Sequence, residues 1–328
     1  MATPPRIIAG SGTWGHNVDT DEAKQLMKDL TAIDVNEIDT AAIYPFSNPT
    51  VSEQIIGDSG LSHQGCVIDT KIMWFDNGKG TLTKENIAKS IDESLARLKV
   101  ERVHILYAIG PDSTTPLEEQ AAAFDSVYRQ GKFEKLGICN FSPEMLKQFV
   151  EIAEREGFVK PSVYQGQYNL LCRTYEDVLF PFIRENDIAF MAFSPLAQGM
   201  LTGKLTFADS PDQDLKGTRF DTAKDNIYGL NARRWYDKPS FHSAIRELKA
   251  FCEPHGIDTI DAAMRWLRHH SILDGTRGDG IIIGTKNKQQ GDKCISGVQA
   301  GPLPLDLAEQ INSLWSGVAE DAASILSY

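Results

Sequence analysis

Eight short apolar or β-branched runs, at 6–9, 36–38, 66–69, 103–107, 135–138, 163–165, 188–193 and 280–283, alternate with helical patterns along nearly the whole chain. Strands of that length separated by helices are repeated βα units, and such units pair their strands in parallel. Eight of them fit a closed (β/α)8 TIM barrel better than an open sheet. A length of 328 residues, which alone suggests two domains, therefore reads as one α/β barrel domain over 1–328. Thr83 caps a helix whose Ile87, Ile91, Leu95 and Leu98 form one stripe. Ser142-Pro143-Glu144 opens another, with proline at the first helical position and an acid against the positive end of the dipole. Met145, Phe149 and Ile152 are its expected buried face. Two segments break the rhythm. Residues 197–234, polar and rich in Gly, Pro and Asp, read as a long functional loop over the barrel mouth, and 301–328 as a C-terminal cover.

Composition narrows the partners. A net charge of −12 argues against a surface built to neutralise nucleic-acid phosphates. No run approaches the roughly 20 apolar residues that cross a bilayer, and residues 1–6 lack the basic start of a signal segment. The expectation is a cytoplasmic protein, monomer or homodimer, acting on a small molecule without membrane or nucleic acid. The five cysteines, Cys66, Cys139, Cys172, Cys252 and Cys294, are odd in number, dispersed and never in a C-x-x-C pair. They read as small core residues, with neither a disulfide framework nor a metal site.

In such a barrel the chemistry lies at the C-terminal ends of the strands. The second strand ends in Asp39, with Tyr44 on the loop behind it; the third ends at Lys71. A cation beside a phenol favours the phenolate and draws the tyrosine down from about 10 toward the range of a general acid. An aspartate beside that lysine keeps it charged when half-buried. Each residue alone has a plainer reading: a strand-end Asp caps the next turn, and a rim Tyr or Lys is surface. Three at successive rims point to chemistry.

With these residues the chain resembles the aldo-keto reductase family, in particular its aflatoxin-aldehyde-reductase branch and fungal relatives. The likeness runs from Gly12-Thr13-Trp14-Gly15 to Gly284-Thr285-Lys286. It is carried by Asp39-Thr40-Ala41-x-x-Tyr44, Ser94-Leu95-x-Arg97-Leu98, Gly137-Ile138-Cys139-Asn140-Phe141, Tyr164-Gln165 with Tyr168-Asn169, and the stretch 194–204 after Phe193. The resemblance implies an NADPH-dependent oxidoreductase that passes hydride to a carbonyl carbon without a Rossmann fold. Tyr44 protonates the oxygen, helped by Lys71 and Asp39. Asn140 and Gln165 match the positions that hold the nicotinamide carboxamide, and Phe193 the ring that stacks on it. Ser194, Pro195, Leu196, Gln198, Gly199, Leu201 and Lys204 match the pyrophosphate loop; read alone, that stretch is an apolar strand and a Gly-rich turn. Lys286, with Lys288 and Arg219, is expected at the 2′-phosphate, a reason to prefer NADPH over NADH. Thr13, Trp14, Asp39, Cys139, Ile283, Gly284, Thr285, Gln290, Lys293 and Cys294 complete the cofactor residues so implied.

The chain also departs from the family. Where the resemblance calls for a histidine after the fourth strand, the sequence reads Val103-His104-Ile105-Leu106-Tyr107-Ala108-Ile109-Gly110-Pro111-Asp112, and Ile109 takes the place. His104, five residues earlier, belongs near the barrel bottom as a structural or surface histidine. Losing one preorganised donor costs on the order of 10²- to 10³-fold in rate, so ordinary carbonyl reduction is expected to be impaired. Cys139 replaces a serine and Lys293-Cys294 an acidic or amide pair, which weakens the expected hold on cofactor. Trp14, Tyr44, Trp74 and Ile109 are the expected substrate wall, suited to an apolar or aromatic molecule. In the plainer reading, Trp74 only packs beneath its loop. Three functions follow: a reductase of a carbonyl or conjugated enone, a non-redox isomerase, dehydratase or cyclase of secondary metabolism using Tyr44 and Lys71, and an NADPH-binding regulatory subunit.

Overall fold

The computed structural model describes residues 3–221, 227–284 and 288–326. Strands β1 (Arg6–Gly10), β2 (Glu37–Asp39), β3 (Val67–Lys71), β4 (Val103–Ala108), β5 (Phe133–Cys139), β6 (Pro161–Gln167), β7 (Ala189–Phe193) and β8 (Gly280–Gly284) close in sequence order into one barrel. Every pair is parallel, and β8 returns to β1 in register from Arg6 opposite Gly280 to Gly10 opposite Gly284. All eight expected strands are present, with β5 and β6 each extended at both ends. The strands carry apolar side chains on both faces because helices cover the outside and other strands fill the inside. The inward set, Ile8, Ile105, Tyr107, Val163, Ala189, Met191 and Ile282, forms a plug of its own.

The two helix starts are built as their sequences require. Thr83 accepts from the Asn86 amide, opening Lys84–Leu98 with Ile87, Ile91 and Leu98 buried. Ser142 accepts from the Met145 amide, with Pro143 first in Pro143–Glu156. There the buried face is Leu146, Phe149, Val150, Ile152 and Ala153, while Met145 is only partly buried. Its place in the first turn, beside the cap, leaves it at the rim of that stripe. The segment 197–234 is not loop throughout: short helices occupy Ala197–Thr202 and Pro211–Asp214, and Ile227–Tyr236 is helical. At the C-terminus Leu305–Ser313 and Trp315–Ala323 are helices that pack on helix Pro239–Cys252. Lys238 and Ser240 donate to Asp321, and Arg173 of the β6 loop reaches Asn312. All five cysteines are free and buried. Among the described residues, no helix is long and apolar enough to cross a membrane.

The bottom of the barrel is closed by charge. Arg6 grips Glu37 through Nε and Nη2 (2.7 and 3.2 Å), and His104 Nδ1 lies 3.0 Å from Asp69 Oδ1, which also accepts the Ile105 amide at 3.1 Å. His104 is thus structural, as its position in the strand suggested. Burial, then the charge and hydrogen bond of Glu37, hold the Asp69 carboxyl well above its ordinary range. A raised folded-state pKa contributes stability at low pH that is lost as pH rises through it. Asp69→Asn preserves the Oδ1 acceptor and cannot ionise. Its stability relative to the parent should therefore grow in urea titrations as pH rises above the ordinary aspartate value of about 4, and a pH-independent difference would contradict the assignment.

Candidate active site at the C-terminal mouth

Asp39 ends β2, Lys71 ends β3, and Gln165 stands near the end of β6, so three side chains from separate strands meet inside one layer of the barrel. Lys71 Nζ donates to Asp39 Oδ1 at 2.6 Å and to the Thr40 carbonyl at 2.9 Å. Gln165 Nε2 donates to the same Asp39 oxygen at 2.8 Å. Burial pulls Lys71 toward the neutral amine, but the charges of Asp39 and Tyr44 and the hydrogen bond to Asp39 outweigh it, and its pKa is raised. The lysine is therefore a cation in a dry site, the state the sequence argument required.

Tyr44 lies on the loop after β2, half-buried, with the Lys71 ammonium 5.2 Å from its ring centroid. The loop is fixed at both ends. The Tyr44 amide donates to Ala41 O (3.0 Å), and Tyr44 O accepts from Ser52 N (3.1 Å). Ser52 Oγ is 2.8 Å from Ser11 Oγ and 2.9 Å from Thr40 Oγ1 in a buried hydroxyl cluster. Below it Glu53 accepts from Thr70 (2.6 Å) and Arg97 (2.7 Å), tying helix Val51–Ser59 to β3 and to helix Lys84–Leu98. Asp39, Tyr44 and Lys71 are thus brought together as expected.

Sequence reading missed Tyr107. It is opposite Lys71 in the β3–β4 register and lies in the plug, with Lys71 Nζ 5.3 Å from its ring centroid. The ammonium thus lies close to two phenol rings. Gly137 makes this possible, because a Cβ there would fall 2.2 Å from Tyr107 Cδ1. Burial, then the charges of Asp69, Asp39 and Glu37, push the Tyr107 phenol well above its usual value, so it stays neutral.

Ile109 directly follows β4 and is half-buried, its carbonyl accepting from Asn140 Nδ2 at 2.8 Å. Gly110 and Gly78 clamp the Trp74 indole: a Cβ on either would come within 2.7 and 2.4 Å of Trp74 Cη2, respectively. Trp74, half-buried, thus packs on its own loop and beside the residue after Ile109. Asp112 locks the two loops by accepting from Gly80 N and Leu82 N, both at 3.0 Å. Burial alone would raise its carboxyl, but hydrogen bonds from Thr115, Thr114 and Leu82 hold it at about 2.

The remaining expected residues divide by burial. Phe193, the last residue of β7, is half-buried against the plug. Ser194 follows, bonded to Gln198 Nε2 at 2.6 Å, and Arg219 donates to Gln198 Oε1, so the loop is latched by three of the named side chains. Thr13, Leu196 and Gly199 are half-buried, Pro195 buried, and Lys204, Gly284 and Gln290 exposed. Cys139 is buried at the end of β5, and burial pushes its thiol up to about 12, so it stays protonated. Trp14, Leu201, Ile283 and Cys294 are core residues. Trp14 in particular is 0% exposed, which corrects its expected place on the substrate wall. Leu201, Ile283 and Cys294 are likewise buried among apolar neighbours. Lys293 faces Asp258 at 3.7 Å. Thr285 and Lys286 lie outside the described residues, as does the side chain of Lys288.

A barrel closed by eight parallel strands, with a buried Lys–Asp pair beneath a rim tyrosine, has close relatives. The profile of the Aldo/keto reductase family matches residues 6–316. The chain belongs to that family. It is 34% identical to an aldo-keto reductase of Pseudocercospora fijiensis over 289 residues, covering 88% of this chain and 95% of that protein. It is 30% identical to aflatoxin B1 aldehyde reductase member 2 of Rattus norvegicus over 323 residues (97% and 86%). To oxidoreductase sirO of Leptosphaeria maculans it is 31% identical over 330 residues (97% and 96%). Family and relatives together make this aldo/keto reductase an NAD(P)H-dependent oxidoreductase acting on a small molecule.

Proposed function

We propose that the chain is an NADPH-dependent reductase of a carbonyl or conjugated enone carried by an apolar or aromatic molecule, working in the cytoplasm on a biosynthetic route. The observation that carries this reading is the Lys71 ammonium, held 2.6 Å from Asp39 and facing the Tyr44 ring. A binding subunit has no use for so costly a buried pair under an accessible phenol.

The residues present fit a dinucleotide. Asn140 and Gln165 are amides whose N–H groups are committed to the Ile109 carbonyl and to Asp39, which fixes how each is turned. Ser194, Ala197, Gln198 and Gly199 all have positive φ (56, 51, 57 and 102°). Three non-glycine residues in that region concentrate strain where backbone amides can be aimed at an anion. Lys204 and Arg219, exposed on the same segment, supply positive charge. Exposed aromatic rings at Phe46 and Phe75, on the loops that carry Tyr44 and Trp74, support the apolar substrate.

When bound, NADPH supplies the hydride. Tyr44 gives its phenolic proton to the substrate oxygen, and Lys71 stabilises the phenolate left behind until solvent restores the proton. Asp39 keeps Lys71 charged and aimed. Ile109 leaves that wall without a donor, so the substrate must bring its own polarisation. Tyr44→Phe should lower turnover by roughly 10²- to 10⁴-fold while NADPH binding, followed by fluorescence, stays as it was. If NADPH does not bind the parent protein, the reading fails. Substrate turnover without loss of reduced-nicotinamide absorbance would replace it with a non-redox reaction.

A further inference from the structure

The last residue of β6, Gln167, is 4% exposed, and its Oε1 is buried with no hydrogen-bond partner. Strand alternation says where it points. Val163 belongs to the inward plug and Gln165 donates across the barrel to Asp39, so Gln167, two residues further on, faces the same interior at the mouth. The register sets it opposite Phe193, the last residue of β7, which packs on the plug. A buried acceptor without a donor is destabilising, and an apolar side chain of similar length would avoid that cost.

Resting on the NADPH reading above, we propose that Gln167 is a binding residue whose Oε1 accepts a hydrogen bond from the N–H of the nicotinamide carboxamide. Phe193 beside it offers the ring face, and Asn140 and Gln165 are already turned by their bonds to the Ile109 carbonyl and Asp39. The orphaned atom stands at a strand end, so a ligand entering from the mouth meets it without crossing the plug. A planar amide is the ligand group that suits it, because it brings a donor in the plane of a stacked ring.

The test compares NADP+ with its 3-acetylpyridine analogue, which keeps the ring carbonyl and lacks the amide N–H. The parent protein should bind NADP+ about 3- to 10-fold more tightly than the analogue, the size of one hydrogen bond. Gln167→Met should reduce that preference at least threefold, weakening NADP+ and leaving the analogue unchanged. Without ligand, Gln167→Met should also melt about 2 °C or more above the parent, since an unpaired buried polar atom is gone. A parent protein with no preference, or a Gln167→Met protein that keeps it, overturns the proposal while the cofactor reading stands. A parent that binds neither nucleotide removes both. A ligand-free Gln167→Met protein that melts below the parent shows that Oε1 already has a partner, and also overturns it.

Discussion

Lys71→Met will lose about 3–5 kcal/mol of unfolding free energy, far more than its small change in volume explains. Lys71 is 1% exposed in its side chain and Asp39 6%, and among the described residues the ammonium is the cation paired with that carboxylate. Without it Asp39 keeps the Gln165 amide at 2.8 Å but remains a buried anion with no counter-charge. The double substitution Asp39→Asn/Lys71→Met removes both charges and should recover much of the loss, since replacing a whole buried pair is far less costly than breaking one. Lys71 has a raised pKa in the folded protein, so its contribution is complete below the ordinary lysine value and fades only as pH climbs through the folded one. Urea titrations at neutral pH therefore see it in full. A single-substitution loss under about 1 kcal/mol would mean that water reaches Asp39 and that the site is not dry.

How far this site could be read in advance depends on what each residue's role requires. Strand positions followed from local runs, and Asp39, Tyr44 and Lys71 from their place just past those runs, because a strand end fixes height in the barrel. Tyr107 and Gly137 were illegible for a physical reason: a glycine on β5 matters only once the tyrosine on β4 leans across it, and lean is a tertiary property. Gln167 was hidden in the same way, since an unpaired amide is visible only when its surroundings are known. Trp14 went the other way. Its motif suggested a ligand contact, yet its side chain turns into the core, because apolar side chains near a rim go wherever neighbours exclude water. The helix at Ile227–Tyr236 was lost in the polarity of the segment before it.

Ile109→His should raise turnover of simple aldehydes by about 10²- to 10³-fold and leave NADPH affinity where it was. The backbone is already fixed for the new side chain. Ile109 follows β4 without an intervening residue, its carbonyl is pinned by Asn140, and Gly110 is clamped under Trp74. An imidazole there keeps the rotational freedom of its side chain only, and a half-buried position leaves its ring in reach of the mouth. It would place an N–H beside the oxygen that Tyr44 protonates, giving a second donor where charge develops. The gain should persist below the ordinary histidine pKa of about 6.5, because both the neutral ring and the imidazolium can donate. Steady-state rates with a small aldehyde, with nucleotide affinity measured alongside, decide the matter. A gain under about threefold at unchanged affinity is too small for a preorganised donor. It would mean that the apolar wall at Ile109 selects the substrate and does not limit the chemistry.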